Sequence, residues 1–331
     1  MKRKMAALLA VLLTLGFCVN GCGKDTQQTA QEPQQESSEE PEAQVTPEDT
    51  EDAAEVPEEG SEIEAQTSDG DTLILAVSFG TSYNDSRDIT IGAIEKSLED
   101  AFLEYPVRRA FTSQIIIDKL AERDGLEIDN VTQALDRAVA DGFKNLIVQP
   151  THLMNGLEYM DIVNELKEYE SDFEKIAIGE PLLTSDADYE AVINAITEDT
   201  KSYDDGETAI VYMGHGTEAE SNQVYATMQE KLTASGHSNY YIGTVEAAPT
   251  LEDVVKALKE AGTYKKVVLQ PLMVVAGDHA NNDMAGDEED SWKTALEAEG
   301  FEVESRLVGL GELAGIREIY VQHTQAAIDS L

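Results

Sequence analysis

Two stretches of this chain repeat two others in the same order. "LILAVSFGTSYNDS" (73–86) matches "AIVYMGHGTEAES" (209–221), and "KNLIVQPTHLMNGLEYMD" (144–161) matches "KKVVLQPLMVVAGDHANND" (265–283). Each half reads strand, glycine-bearing turn, helix, strand, helix, then a strand ending in Gln-Pro. The strands are short apolar runs such as 72–79, 145–150, 175–180, 208–214, 266–271 and 302–308. Between them lie amphipathic segments with apolar residues at helical spacing, several closed by Gly. Alternation of this kind predicts a parallel sheet covered on both faces. The expected fold is therefore α/β and duplicated. It has two similar lobes, each a four-stranded, mostly parallel sheet flanked by helices, at 71–204 and 205–331.

Ligands of open α/β sheets sit at the carboxyl ends of the strands. "SFGTS", "PTHLMNGLEY", "MGHGTE" and "PLMVVAGDHANND" all fall there. Of five histidines, His152, His215 and His279 lie at predicted strand ends, His237 in a helix-end loop, and His323 on a C-terminal helix, where a surface position is expected. A lone loop histidine is usually a surface or capping residue, but three at the mouths of one sheet pair point to ligand or catalytic duty. Glu246 ends the strand in "NYYIGTVE" and supplies a carboxylate beside His215 and His279. Two imidazoles and one carboxylate suit divalent cobalt, iron, nickel or zinc and leave positions open for a substrate. Gly214, Gly216 and Gly277 are read as places where a flat ligand approaches the backbone. Asp278 is a candidate acceptor for orienting an imidazole, set against the tendency of adjacent residues to point apart.

The N-terminus is of another character. Lys2, Arg3 and Lys4 precede an apolar run over 6–17, too short to span a bilayer comfortably. The run then meets Val19-Asn20-Gly21-Cys22, which resembles a bacterial lipobox, so residues 1–21 are expected to be a lipoprotein signal peptide and Cys22 the acylated residue. Cys18 and Cys22 are the only cysteines, so the mature domain is expected to have no disulfide and no thiolate metal site. Residues 25–70 hold sixteen Asp and Glu and no Lys or Arg. Such a stretch cannot bury enough apolar surface to offset its chain entropy, so 22–70 is expected to be a disordered acidic tether. The expected location is extracytoplasmic, with the chain anchored to the cell membrane by lipid. A formal charge of −43 excludes nucleic acid as a partner and suits metal cations.

"SFGTSYNDSR", "AFTSQII", "QPTHLMNGLEY", "MGHGTE", "GTVE" and "PLMVVAGDHANNDMAGDEEDSW" resemble the anaerobic sirohydrochlorin cobaltochelatase family over nearly all of 71–325. The resemblance implies a bilobal chelatase fold similar to ferrochelatase, with the tetrapyrrole between the lobes. It implies that His215, Glu246 and His279 bind the metal, Co2+ first and Fe2+ or Ni2+ as alternatives. A neutral imidazole, His215 by preference, is expected to accept a pyrrole proton because imidazoles ordinarily titrate near neutrality. Ser82, Tyr83, Arg87, His152 and Glu158 are expected to contact the macrocycle. Arg87, Arg108 and Arg109 are candidates for gripping its carboxylates. The stretch Glu218-Ala219-Glu220 lacks the further histidines that family members often carry after "MGHGT". A homo-oligomer is compatible with this reading. An acylated leader is foreign to a cytoplasmic pathway, and it supports the alternative of a haem- or metal-binding lipoprotein without turnover.

Overall fold

A computed structural model describes residues 70–331; the predicted signal peptide, Cys22 and all but the last residue of the acidic tether lie outside them. The first sheet joins β1 (Thr72–Ser78), β2 (Val107–Phe111), β3 (Asn145–Pro150) and β4 (Lys175–Ile178) in the order β2-β1-β3-β4, all parallel. The second joins β5 (Thr208–Gly214), β6 (Tyr240–Thr244), β7 (Lys266–Pro271) and β8 (Glu302–Ser305) in the order β6-β5-β7-β8, again all parallel. The two topologies are the same, as the repeated sequence requires. β5 is buried from end to end, which is why it reads as an unbroken apolar run rather than an alternation.

Ten helices cover the sheets among the described residues: α1 (Asn84–Arg87), α2 (Ala93–Ala101), α3 (Gln114–Asp124), α4 (Val131–Ala140), α5 (Leu157–Glu168), α6 (Asp186–Asp199), α7 (Gln223–Ala234), α8 (Leu251–Ala261), α9 (Trp292–Ala298) and α10 (Ala314–Ser330). Their starts follow local chemistry. Asn130, Ser185 and Thr250 each close a reciprocal capping box at the N-termini of α4, α6 and α8. α3 and α8 stop at Gly125 and Gly262, both left-handed.

Strand β2 and helix α3 escape the apolar-run reading of the sequence. Arg108 and Arg109 interrupt β2, yet each is neutralised where it stands. Arg108 pairs with Asp141 at 2.6 Å and lies over the Phe143 ring, and Arg109 forks onto Glu95. The aliphatic stems and paired heads let a charged strand fill an edge position.

The lobes share a core. Helix α10 packs on α2, α6 and β3 of the first lobe, and one apolar cluster runs from Ile74 and Ile147 through Ile316 and Tyr320 to Ile210 and Val268. The buried Tyr320 hydroxyl donates to the Thr151 carbonyl at 3.0 Å. Two loop pairs then bring the strand ends together. The loop after β1 meets the loop after β7, where Ala276 N–H donates to Ser86 Oγ at 3.0 Å and a Cβ on Gly277 would lie 3.3 Å from Thr81 Oγ1. The loop after β3 meets the loop after β5, where a Cβ on Gly156 would lie 3.6 Å from Ser221 Oγ. These contacts exchange under a swap of the halves, so the two sheet mouths face a common groove.

Candidate metal centre

Three turns supply the centre. His215 directly follows β5, Glu246 lies two residues past β6, and His279 lies eight residues past the proline that ends β7. The middle strand and its neighbours thus present three side chains at one mouth. Their ligand atoms all lie within 4.8 Å of one another. His215 Nε2 stands 3.8 Å from Glu246 Oε1, and the two imidazole centroids are 4.6 Å apart with the rings nearly perpendicular. The His215 and Glu246 side chains keep 48% and 55% of their surface, so the cluster opens to the groove.

Hydrogen bonds fix which nitrogens are free. His215 Nδ1 is 2.8 Å from the Gly216 carbonyl, which can only accept; Nδ1 therefore carries the proton and Nε2 the lone pair. His279 Nδ1 is 2.6 Å from Asp283 Oδ2, which fixes the same tautomer. Glu246 N–H donates to the His215 carbonyl at 2.9 Å, so two of the three donor residues are tied backbone to backbone.

The residue that orients His279 is Asp283, not Asp278. Asp278 turns away and accepts from the Tyr83 hydroxyl at 3.2 Å and from Asn282 Nδ2 at 3.0 Å. Residues four apart on a helical turn share a face, whereas adjacent ones diverge. The i,i+4 spacing of His279 and Asp283 was the signal in the sequence.

The glycines serve packing more than ligand approach. A Cβ on Gly214 would lie 2.2 Å from the Tyr225 ring, whose hydroxyl accepts from Gly216 N–H at 3.3 Å. Gly216 has φ +87, and a Cβ there would meet Thr244 Oγ1 at 2.8 Å and Ala247 N at 2.9 Å. Only glycine suits that left-handed, crowded turn. The histidine sits between two glycines because the flanking backbone is pressed against its neighbours while the imidazole alone projects.

The other predicted contacts are scattered. Ser82 and Tyr83 line a cavity at the junction of the lobes. Glu158 is exposed on the first turn of α5 and lines a smaller cavity beside Phe79 and Phe111. Arg87 points inward, with NH1 on Asn84 Oδ1 at 2.9 Å and NH2 on Asp88 at 3.2 Å. Arg108 and Arg109 are also paired with acids, so each of the three expected carboxylate grips already has an acidic neighbour within its own lobe. Both His152 ring nitrogens are shut off from solvent and have no hydrogen-bond partner among the described residues, and burial pushes the pKa down to about 4. His323, expected on the surface, is clamped instead: Nε2 meets Asp188 Oδ1 at 2.9 Å and Nδ1 the Glu180 carbonyl at 3.0 Å.

Fold and site together define a duplicated two-lobed α/β protein with a donor set for a divalent metal at the mouth of one sheet. The family model described as Cobalt chelatase (CbiK) matches residues 72–329, and the chain belongs to that family. It is 39% identical over 256 residues to the sirohydrochlorin cobaltochelatase of Salmonella typhimurium, covering 77% of this chain and 96% of the relative. It is 32% identical over 260 residues to the sirohydrochlorin cobaltochelatase CbiKC of Nitratidesulfovibrio vulgaris, covering 78% and 91%. Among solved structures, SirB from Bacillus subtilis with Fe3+ shares the fold at a TM-score of 0.55 and 12% identity, over 78% of this chain and 96% of that one.

Proposed function

We propose that this protein inserts Co2+ into sirohydrochlorin, with His215, Glu246 and His279 as the metal ligands. The observation that carries the reading is the convergence of these three donors within 4.8 Å in a chain of the cobalt chelatase family. Fe2+ and Ni2+ suit the same donors and are the alternative substrate metals.

The tautomers suggest how charge is balanced. Each imidazole has a single lone pair, at Nε2, so it holds either the metal or a proton. The macrocycle enters the groove and its nitrogens displace the protein ligands from cobalt. Two pyrrole N–H protons leave as the metal enters. Once free of cobalt, His215 Nε2 accepts one of them and a neighbouring ligand the other. The exchange of Co2+ for two protons leaves the cluster's net charge unchanged, which avoids separating charge in the groove.

The leader supports export and acylation at Cys22, which would hold the domain on the outer side of a membrane. That location favours a second reading, a haem- or metal-binding lipoprotein without turnover. One assay separates the two. Purified protein given Co2+ and sirohydrochlorin should form the metallated product faster than the spontaneous reaction, and His215→Ala should abolish the gain. Tight haem binding with no turnover would favour the carrier. Radiolabelled palmitate should enter the wild-type chain and not Cys22→Ala.

A further inference from the structure

We infer that the cavity between α3 and the His279 turn is a carboxylate-binding subsite that holds one acidic edge of the macrocycle, with Lys119 as its cation; this rests on the tetrapyrrole reading above. The cavity measures about 620 Å³ and is built by both lobes: Ser82, Tyr83, Ile89 and Lys119 from the first, Asn281 and Leu307 from the second. The volume suits the arms along one edge of a tetrapyrrole rather than the whole ring.

Its charge is unusual for this molecule. Nearly every other lysine or arginine among the described residues is held by an acid: Lys96, Lys144, Lys201, Lys231, Lys256, Lys259, Lys265, Lys266 and Lys293 by ion pairs, and the arginines Arg109, Arg137 and Arg306 likewise. Arg123, on the same wall, forks onto Asp124 and reaches Asn84. Lys119 has no hydrogen bond or ion pair within the described residues, although the chain is strongly acidic. Asp85 is the one acid of the lining, so the unspent cation faces a space with little to neutralise it.

The position fits the proposed chemistry. Asn281 and Ala276 bracket the turn that carries His279, and Asn281 Nδ2 braces that turn by donating to the Ala276 and Gly277 carbonyls. The cavity therefore shares a wall with the metal centre. A ring centred on the metal would send peripheral arms toward such a space. Ile89 and Leu307, 51% and 43% exposed, offer apolar surface to the methylenes of an arm, and the Lys119 ammonium offers three donors to its carboxylate. Sirohydrochlorin has eight carboxylates, and Arg87, Arg108, Arg109 and Arg306 are each already paired with an acid.

The test uses the full chain as wild type, Lys119→Gln, Lys119→Arg and, away from the cavity, Lys256→Gln. Each is titrated with metal-free sirohydrochlorin by fluorescence and then assayed for cobalt insertion. Lys119→Gln should raise Kd and KM about five- to tenfold and leave kcat within about twofold, since a charge-assisted bond is lost from binding alone. Lys119→Arg should recover most of the affinity, and Lys256→Gln should match wild type. Rising salt should weaken binding to wild type more than to Lys119→Gln. A wild-type Kd in Lys119→Gln overturns the subsite. If wild type binds the macrocycle but inserts no cobalt, the enzyme reading fails while the Kd comparison still decides the subsite. If wild type does not bind it at all, both fail.

Discussion

The two sheet mouths have the same backbone and opposite chemistry. In the first lobe Ser113 N–H donates to the Phe79 carbonyl; in the second Glu246 N–H donates to the His215 carbonyl. Thr151 N–H bonds Val77 as Leu272 N–H bonds Met213, both at 2.8 Å. Gly80 and Gly216 occupy the same turn, with φ of 97° and 87°. Glu158 and His279 each lie eight residues beyond the proline that ends the third strand. So His215, Glu246 and His279 stand where Phe79, Ser113 and Glu158 stand in the other half. The lesson is that the duplicated scaffold presents three side chains at either mouth, and only the identity of those side chains gives one of them a donor set suited to a metal. The comparison breaks most sharply at the ligands. His215→Ala or His279→Ala should lower cobalt affinity at least about a hundredfold, beyond what loss of an outer partner costs, as measured by calorimetry. Phe79→His combined with Ser113→Glu, beside the native Glu158, should add a second cobalt equivalent in the first lobe. A stoichiometry that stays at one would show that the mouths differ in more than their side chains.

The next contrast is His152 against its counterpart Met273. An imidazole buried without a partner resists protonation: its folded pKa is about 4 against an ordinary 6.5. The unfolded chain therefore takes up the proton first. Stability is complete above pH 6.5 and is lost as the pH falls through the window from 6.5 to 4, by about 3 kcal/mol in all. His152→Met gives the first lobe the residue of the second and should flatten that window. Urea unfolding of both proteins at pH 7 and at pH 4.5 measures the difference, and equal losses would show that His152 does not carry the effect.

A smaller effect belongs to Asp283, whose counterpart in the first lobe is the core residue Ile162. Asp283→Asn keeps the shape of the contact with His279 Nδ1 and removes its charge. Cobalt affinity should fall about ten- to hundredfold, with the fold intact by circular dichroism.

Much of this was legible in the sequence, and the reasons are local. The parallel strands show as unbroken apolar runs because both faces are covered, and the duplication requires the two lobes to share one topology, though not which order the strands take. The trio at 215, 246 and 279 could be found because strand ends are where such sheets place ligands. β2 was hidden because Arg108 and Arg109 look like surface residues until Asp141 and Glu95 are seen to hold them. The same pairings of Arg87, Arg108 and Arg109 are invisible in the sequence, which shows a charge but not its partner. His323 was misplaced because its neighbour Asp188 lies 135 residues away. Gly214 was given to the ligand when it belongs to Tyr225, a contact that depends on where α7 packs.

The weakest contrast concerns the way the lobes are tied together at the groove. Tyr83 reaches across and its hydroxyl donates to Asp278 Oδ1 at 3.2 Å in an exposed setting. Burial and the Asp278 charge both push the phenol pKa up, so it remains a donor at neutral pH. By the alignment of the halves its counterpart is Ala219, which has no hydroxyl to offer in return. The two crossings are thus unequal, and the one beside His279 carries the extra bond. Tyr83→Phe removes one long, solvent-exposed hydrogen bond and nothing else. The expected loss is below about 1 kcal/mol of unfolding free energy, with cobalt affinity unchanged within about twofold because Asp278 does not touch His279. A larger fall in cobalt affinity would mean that the tie positions the metal turn itself, and that the asymmetry between the mouths extends from their side chains to the way the lobes are held.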